Sequence, residues 1–558
     1  MLSSQMVYPA LYDKFVMKYS MVYLSLLVAV MILAACGSSS DSVPTEVTPP
    51  QKQPDKVVKD AFDLPVAKSD NLFNISGNMV ATPEYLQSGL VRNPAMGWVL
   101  YDDANDPVAN ASVYWNEMDK YAKYASVFYV RWRWSDLEPN EGEYVWKDKS
   151  SNFSRLIKGA QDRGLRLAFR IYYDSNGNCK QATPDYVLEA GAEGYRTEIN
   201  GTENRWSPYA DDEVFREKLS LFVKAFAEEF DDPSRVDFID AFNLGWWGEG
   251  HDIYFKAGND NEQALTDAVK WITTLYGEAF KRVPLVINYH AAIGEKNLDW
   301  VLENQGYQLR HDAFGSQYYW TFERGYADKY KTHRMIVAES CYWFVNTDYG
   351  SAMSGEYDFT EQWRSDETYN PRAKSWRDVY KRTYNEAAEA RANMLDLREK
   401  READSWTRQA LDVVNDFIDN GGYRLAPVAV SFPQSVKVGQ IYELGHSWKN
   451  GGFGVCPNFD KRWGGKYKVA IALLDGKGRV VQSSVDVAAD PSAWLKESGE
   501  VKYKHKIKVD YPTAGRYYWA VGIVDTSMEE RPAALNLAVQ NVDFVDKWVV
   551  IGGVDVEK

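Results

Sequence analysis

VDFIDAFNLGWWGEGHD, residues 236–252, is the stretch that says most about how this chain folds. Its first part, 236–244, is mostly apolar and predicts a buried strand. Two tryptophans, three glycines and Glu249 then follow within a few residues. A Gly-rich turn with two core tryptophans and a solvated glutamate would explain the pattern. A functional carboxylate at the end of a strand would explain it equally well, so the surrounding elements decide the choice.

Composition narrows the class of protein. The chain has 558 residues, a formal net charge of −15 and 14% aromatic residues, including 20 Trp and 37 Tyr. An acidic surface repels phosphate backbones, so nucleic acid is not an expected partner. Many flat aromatic rings suit a carbohydrate-facing surface, although β-sheet cores also use them. The four cysteines lack metal-ligand spacing, and the six histidines form no HExxH or HxH group. No metal or other cofactor is therefore expected.

The N-terminus has the features of a targeting segment. Residues 21–35, MVYLSLLVAVMILAA, are apolar and follow Lys14 and Lys18. A run of about 15 residues is short for a membrane span and fits a signal peptide. It ends in LAACG, residues 33–37, which resembles a bacterial lipobox with Cys36 as the lipidated residue. A plain secretory signal is the alternative.

The predicted domain order follows from this start. A signal peptide at 1–36 precedes a Ser-, Pro- and charge-rich tether at 37–72, which has too few apolar residues to fold. A barrel over 73–424 and a β-sandwich over 425–558 complete the chain. We expect a monomer that touches a membrane only through its lipid anchor. We expect it in the cell envelope, at the outer membrane of a Gram-negative bacterium, or secreted.

Short apolar strands alternate with helical stretches from about residue 76, which is typical of a parallel α/β sheet. The predicted strands are 97–101, 126–132, 166–172, 236–244, 284–288, 313–319, 334–339 and 392–397. Predicted helices include 115–124, 152–163, 212–230, 262–280, 373–391 and 405–418. Eight such units in about 350 residues predict a (β/α)8 TIM barrel. A doubly wound open sheet is the alternative, but no Gly-rich phosphate loop follows the first strand.

The pattern changes to alternating strands separated by Gly and Pro turns from about residue 425. The predicted strands are 428–430, 467–474, 480–487, 501–509, 516–524, 536–542 and 548–551. They indicate an antiparallel β-sandwich. Four of its aromatic residues could bind sugar, but such residues more often fill the core of a small sandwich: Trp448, Trp463, Tyr517 and Trp519.

The carboxyl ends of TIM-barrel strands form the active site, so candidate residues are taken from those ends. Glu249 follows strand four and Glu339 ends strand seven. Two carboxylates across a barrel mouth suggest a glycosidase, with one as acid/base and the other as nucleophile. Arg131 or Arg133 would keep the nucleophile ionised. The candidate substrate-binding residues are Arg131, Arg133, Tyr172, Asn243, Trp246, Trp247, His251, Asn288, His290, Gln317, Tyr318, Trp320 and Trp343.

Two further stretches resemble a known group. WSDLEP at 134–139, with EGEY at 141–144 and Trp146, looks like the W-x-x-L-E-P-x-x-G-x-Y-x-[FW] segment of clan A glycoside hydrolases, notably family 42-like β-galactosidases. TPDYV at 183–187 is similar to their TP-x-W-[LV] segment. The WGE-x-H stretch and the sandwich also resemble poorly characterised bacterial barrel-plus-sandwich proteins. The resemblance implies a retaining mechanism with glutamates at the ends of strands four and seven, which map onto Glu249 and Glu339.

One departure from the clan pattern keeps an alternative open. The clan usually has Asn immediately before the acid/base, whereas Gly248 precedes Glu249 and Asn243 lies six residues back. Either the loop is rebuilt, or the acid is another residue, such as Asp252 or Asp174. Glu138, in the LEP stretch, is expected to be structural and to satisfy backbone donors.

The expected function is therefore a lipid-anchored glycoside hydrolase that acts on an oligo- or polysaccharide by double displacement. Glu339 would attack the anomeric carbon and Glu249 would protonate the leaving oxygen. A non-catalytic surface glycan-binding lipoprotein is the second hypothesis. A structural envelope lipoprotein is the third, and it predicts that Trp246 and Trp247 face a core.

Overall fold

Eight parallel strands form a closed barrel in the computed structural model, which describes residues 75–102, 108–175, 180–199, 202–259, 261–289, 292–316, 319–341, 373–510 and 513–558. In chain order, barrel strands one to eight are Gly97–Tyr101, Ala125–Arg133, Arg166–Tyr172, Val236–Asp240, Leu285–Asn288, Gln308–Phe314, Ile336–Ser340 and Met394–Arg398. Each strand pairs with the next in sequence, and strand eight pairs with strand one. This confirms the predicted TIM barrel and excludes the open sheet.

Helices connect the strands. The longer ones are Ala111–Ala122, Asn152–Asp162, Glu213–Phe230, Glu262–Ala279, Trp376–Glu389, Lys400–Gln409 and Leu411–Asn420. Helix Glu213–Phe230 begins after Asp212, whose carboxylate caps the backbone N–H of Phe215 at 2.8 Å. It buries the apolar positions that recur at helical spacing. The single helix predicted over 405–418 is two helices that meet at Ala410.

Shorter elements fill the connections. Short α-helices are Trp134–Leu137, Asp185–Glu189, Glu295–Trp300 and Arg324–Tyr330, and π-helical turns are Val301–Gln305 and Tyr319–Glu323. Single 3-10 turns are Val145–Lys147, Pro491–Ala493 and Lys496–Ser498, and a hairpin pairs Gly194–Ile199 with Thr202–Pro208. These elements extend the loops on which a site can be built.

Two strand predictions need correction. Strand six is Gln308–Phe314 rather than 313–319, because it buries Arg310 and His311 and so lacks the apolar pattern that marks a strand. Strand four stops at Asp240 rather than residue 244. Asn243 has a φ of 61°, and a strand cannot continue through the left-handed region.

The C-terminal domain consists of antiparallel sheets. One sheet contains Asn78–Ala81, Leu425–Pro433, Ile441–Asn450 and Val501–Lys508. The other sheet contains, in spatial order, Ser435–Lys437, Trp548–Glu557, Gly515–Asp525, Tyr467–Leu474 and Val480–Asp486. Phe544–Val545 also pairs with Trp548–Glu557. A separate two-stranded sheet joins Glu84–Tyr85 to Val539–Gln540. Strand Asn78–Ala81 pairs with Leu425–Pro433, so the sandwich includes residues from before the barrel. Strand Ile441–Asn450 was not predicted.

The sandwich aromatics form a core. Trp448, Trp463 and Trp519 are buried, and Tyr517 is half-buried. The indole N–H of Trp448 donates to His446 at 2.9 Å, and that of Trp519 donates to the carbonyl of Pro433 at 3.0 Å. This confirms the core role and removes the three buried tryptophans as sugar-binding surface.

The sandwich packs against the amino-terminal end of the barrel. Apolar side chains in the barrel, including Val127 and Phe238, lie in one buried cluster with Trp448 and Trp463. The amide of Asn393, which precedes strand eight, donates to the carbonyls of Ala95 at 3.0 Å and Val455 at 2.7 Å. The opposite, carboxyl end of the barrel is therefore the end available for a site.

Within the described ranges, no helix is long and apolar enough to cross a membrane. The predicted signal peptide, Cys36 and the tether lie outside the described residues.

The Asn393 bridge gives a stability prediction. Asn393→Ala should lower the free energy of unfolding by about 1–3 kcal/mol, because it leaves buried carbonyls of both domains without a donor. Chemical denaturation measures the effect. Asn304→Ala, at an exposed asparagine, serves as the control and should change stability little. Equal stabilities for the two variants would contradict the bridging role.

Candidate active site

The loop after strand four folds back on itself. Asn243 and Trp247 have positive φ angles of 61° and 53°, and Gly245 has 74°. The backbone N–H of Trp246 donates to the carbonyl of His251 at 2.9 Å, which closes the loop. A Cβ at Gly245 would lie 2.2 Å from that carbonyl oxygen, so only glycine fits. This explains the glycines of the stretch by geometry.

The folded loop presents Glu249 to the barrel interior. Its side chain is 7% exposed and pairs with Arg170 from strand three at 2.5 Å and with Arg310 from strand six at 3.3 Å. The amide of Asn288, which ends strand five, donates to the backbone carbonyl of Glu249 at 3.0 Å. Neighbouring strands therefore fix both the backbone and the carboxylate of Glu249.

Glu339, on strand seven, is held by four side chains. Tyr101 donates to Oε2 at 2.9 Å, and Arg131 lies 3.5 Å from Oε1. Arg310 and Arg398 each contact the carboxylate directly. Burial opposes ionisation, but the guanidinium charges of Arg310, Arg398 and Arg131 outweigh it and lower the pKa of Glu339 to about 2. The carboxylate is ionised at neutral pH, as a nucleophile requires.

Glu249 is also ionised. Burial would raise its pKa, but Arg170, the neighbouring His251 and Arg310 hold it well below the usual range. His251 Nε2 lies 3.7 Å from Glu249 Oε2. Burial lowers the pKa of His251, but the adjacent Glu249 carboxylate more than offsets this and the net shift is upward. A carboxylate this well paired does not carry a proton at neutral pH.

A second set of buried carboxyls stabilises the arginines. Asp240 accepts from Tyr129 at 2.9 Å and from Arg170 at 2.8 Å. Asp396 accepts the backbone N–H of Ser340 at 2.7 Å and lies 3.7 Å from Arg398. Burial and the Glu339 charge raise the pKa of Asp396 to about 7, even though Arg398 opposes the shift. Asp396 therefore titrates near neutral pH.

The raised pKa of Asp396 predicts a pH-dependent stability. A carboxyl whose pKa is higher in the folded protein destabilises it increasingly as pH rises from the unfolded pKa, near 4, to the folded value. Asp396→Asn removes this effect, so its melting temperature relative to wild type should rise by a few degrees between pH 5 and pH 8. Thermal unfolding across this range measures it. A difference that stays constant with pH would refute the assignment.

The structure brings some of the predicted substrate-binding residues to the carboxylate pair. Arg131 lies at Glu339, and His251 lies at Glu249. Trp246 and Trp247 are half-buried, with ring centroids 5.7 Å apart and an edge-to-face arrangement. Asn288 lies beneath the loop and holds its backbone, as described above.

Other predicted residues are placed elsewhere. Arg133 pairs with Asp136 at 2.5 Å, so Arg131 alone of the two arginines holds the nucleophile candidate. The amide of Asn243 donates to the carbonyl of Ile171 at 2.5 Å and secures the loop. Tyr172 is buried beside the charges of Arg133 and Arg131. Trp320 is half-buried under the guanidinium of Arg324 at 4.0 Å. His290, Gln317, Tyr318 and Trp343 lie outside the described residues.

The sequence analysis missed much of the charge network around the pair. The missed residues are Tyr101, Arg170, Asp240, Arg310, Asp312, Asp396 and Arg398. A signal was present for Arg170, which is a charged residue between the apolar residues of a predicted strand. Such residues are buried only when they are paired.

The alternative acids are differently placed. Asp174 is buried and accepts from Tyr195 at 2.6 Å and Ser207 at 2.9 Å. Asp252 is exposed. Glu138 accepts from the indole of Trp134 at 2.7 Å and from the backbone N–H of Gly142 at 2.8 Å, which confirms its expected structural role.

One cluster at the mouth has metal-binding spacing. Ligand atoms of Glu249, His251 and Asp312 lie within 4.8 Å of one another. The guanidiniums of Arg170 and Arg310 already neutralise Glu249 and would repel a further cation. We therefore assign no metal ligands among these three residues.

Comparisons with known proteins found similarity to solved structures alone. No protein-family model matches the chain, and no curated protein matches it. Xylanase 10B from Thermotoga maritima is 12% identical, covers 55% of this chain and 83% of its own, and has a TM-score of 0.34. A β-galactosidase from the psychrophilic Marinomonas ef1 is 12% identical, covers 58% of this chain and 58% of its own, and has a TM-score of 0.36. Endo-glycoceramidase II from Rhodococcus sp. is 14% identical, covers 76% of this chain and 100% of its own, and has a TM-score of 0.36. With TM-scores under 0.5 these similarities carry no argument, and the barrel rests on its own strand pairing.

Proposed function

We propose that the protein is a glycoside hydrolase that cleaves an oligo- or polysaccharide with retention of anomeric configuration. One observation carries the proposal: Nη2 of Arg310 contacts both Glu249 Oε1 and Glu339 Oε2 at the carboxyl end of the barrel. A carboxylate pair at the mouth of a TIM barrel is the arrangement that glycosidic cleavage needs.

The shared guanidinium limits the separation of the carboxylates. Its contact with Glu249 is 3.3 Å and its contact with Glu339 is shorter, so the two oxygens are less than twice 3.3 Å apart. Retaining enzymes have carboxyls about 5–5.5 Å apart, and inverting enzymes need about 6.5–9.5 Å to admit a water. The geometry favours retention.

In this mechanism Glu339 is the nucleophile. Its ionised Oε attacks the anomeric carbon as the bond to the leaving oxygen breaks, which forms a glycosyl–enzyme ester. Water then attacks the same carbon and releases Glu339. Arg131, Arg310, Arg398 and Tyr101 hold the carboxylate in position throughout.

Glu249 is the second carboxylate, and its position after strand four makes it the acid/base candidate. The arginines that keep it ionised work against the acid role in the first step, because a general acid must carry a proton before cleavage. In the ionised form it stabilises the positive charge that develops on the sugar ring.

The remaining parts of the proposal rest on the sequence. Trp246 and Trp247 would stack on sugar rings near the pair, because indole faces suit the apolar faces of pyranoses. Lipidation of Cys36 would anchor the protein to the cell envelope through the tether 37–72. The substrate partner would be an extracellular or periplasmic carbohydrate.

The proposed nucleophile can be tested by substitution. A screen of polysaccharides and aryl glycosides with a reducing-sugar readout should find a substrate that the wild-type protein cleaves. Glu339→Gln should lower kcat/KM at least about 10³-fold, because no covalent ester can form. Glu339→Asp keeps the charge that balances the arginines but withdraws the carboxylate, so it should fold like wild type and still lose activity.

The outcome also separates the proposal from its alternative. If wild type binds glycans but releases no reducing ends, and Glu339→Gln leaves that binding unchanged, the protein is a glycan-binding lipoprotein and the proposal fails.

The stereochemical outcome is a separate prediction. The first-formed product should have the same anomeric configuration as the substrate, because two displacements at one carbon restore it. Proton NMR of the anomeric signals in the first minutes of the reaction, before mutarotation, measures it. Initial release of the opposite anomer would show an inverting enzyme and remove Glu339 as nucleophile.

A further inference from the structure

Asp312 is an additional carboxyl directly above the pair. It lies on strand six, two residues after Arg310, and alternate strand residues point to the same face. Arg310 points inward to Glu249 and Glu339, and Asp312 lies on the same side, since its carboxylate is within 4.8 Å of ligand atoms of Glu249 and His251. The pairing of strands six and seven shifts register between His311 and Phe314, an irregularity of the kind that redirects side chains next to active sites.

Exposure distinguishes Asp312 from the pair. Its side chain is 30% exposed, whereas those of Glu249 and Glu339 are 7% and 4% exposed. Its carboxylate oxygen lies within 4.8 Å of ligand atoms of Glu249 and His251. Asp312 is thus the carboxyl of the cluster that both solvent and a bound sugar can reach.

The charges around Asp312 differ from those around Glu249. Arg170 and Arg310 pair with Glu249 at 2.5 and 3.3 Å. Asp312 instead has His311 Nδ1 as a neighbour at 3.4 Å, and the other ring nitrogen of His311 contacts Glu323. Burial and Arg310 lower the pKa of His311 to about 3. Of the two carboxyls, Asp312 is the one without a permanent cation in contact.

We propose that Asp312 is the general acid and base of this site, an inference that rests on the proposed function. In the first step its carboxyl proton passes to the glycosidic oxygen as the bond from that oxygen to the anomeric carbon breaks and the bond to Glu339 Oε forms. In the second step the Asp312 carboxylate takes a proton from the water that attacks the anomeric carbon, and the bond to Glu339 breaks. Glu249 remains an anion throughout.

The titration of the cluster agrees with this role. Burial raises the pKa of Asp312 to about 6, and the charges of Glu249 and Glu339 add to the rise while Arg310 and His251 oppose it. These groups face Asp312 from the strand-four loop, strand seven and its own strand. Tyr289 after strand five and Glu323 after strand six also face it, and the Asp312 charge adds to the burial that raises the pKa of both. Glu339 and Glu249 have lowered pKa values. Asp312 is therefore the member of the three that holds a proton closest to neutral pH.

Leaving-group dependence tests the proposal. Aryl glycosides of the sugar found by the screen are compared for a good leaving group, 4-nitrophenol, and a poor one, phenol. Asp312→Asn should lower kcat/KM for the phenyl glycoside about 10²–10⁴-fold, because that oxygen needs a proton to depart. It should lower kcat/KM far less for the 4-nitrophenyl glycoside, because 4-nitrophenolate departs without a proton. Asp267→Asn, at an exposed aspartate on helix Glu262–Ala279, is the matched control and should behave like wild type.

The pH profile provides a second measurement. For wild type and the phenyl glycoside, kcat/KM should fall as pH rises through about 6, because the proton is lost from Asp312. Asp312→Asn should lack this limb. If the variant does not fold, the wild-type profile alone tests the proposal, and a flat profile between pH 5 and 8 overturns it.

Other outcomes overturn the inference without touching the proposed function. If Asp312→Asn matches Asp267→Asn while Glu249→Gln shows the leaving-group dependence, Glu249 is the acid. If Ca²⁺, Mn²⁺ or Zn²⁺ raises the melting temperature of wild type but not of Asp312→Asn, the cluster is a cation site. By contrast, a wild-type protein that cleaves no substrate, whatever the variant, refutes the proposed function itself.

Discussion

The contact of one guanidinium, that of Arg310, with two glutamates constrains the rest of the site. A buried charge costs several kcal/mol unless its partners are well placed, and removing one partner leaves the other uncompensated. Arg310 is fully buried, so Glu249 and Glu339 must both lie at its Nη2. The loop after strand four can then adopt only conformations that bring Glu249 inward. The same requirement extends outward, because Arg170 and Arg398 also need Asp240 and Asp396.

This constraint divides the barrel into two halves. The end near the sandwich is held mainly by apolar packing, with Val127 and Phe238 in one cluster with sandwich residues, although Arg166 forms an ion pair with the buried Asp237 there. At the carboxyl end the side chains around Glu249 and Glu339 are mostly charged, and they are fixed by pairing with one another. A barrel with this division holds ionised side chains with little solvent, and in that environment electrostatic interactions with a substrate are strongest.

The sequence predicted the fold better than the site, and one physical cause explains both results. Strand one was predicted with the correct bounds because it is a continuous apolar run. Strand three was also predicted with the correct bounds, because apolar residues separate and follow its two arginines, and strand two differs by one residue at each end. Strand six was misplaced because LRHDAF contains charged residues. Those same residues, Arg310 and Asp312, are among the site residues that were not predicted. Burial of charge inside a strand removes the apolar pattern by which a strand is recognised, and no spacing rule indicates which distant residues will pair with it.

The position of Glu249 shows why a motif alone could not settle its role. The clan pattern expects an Asn directly before the acid/base, and this chain has Gly248 there. In the structure an asparagine does support Glu249, but it is Asn288 from strand five, which holds the backbone carbonyl at 3.0 Å. The glycines are needed because the loop turns through left-handed conformations to bring Glu249 to this contact. Position after strand four therefore identifies a carboxylate of the pair, while the arginines around it determine its protonation. For this chain the two criteria point to different residues, since Glu249 has the position after strand four and Asp312 has the raised pKa.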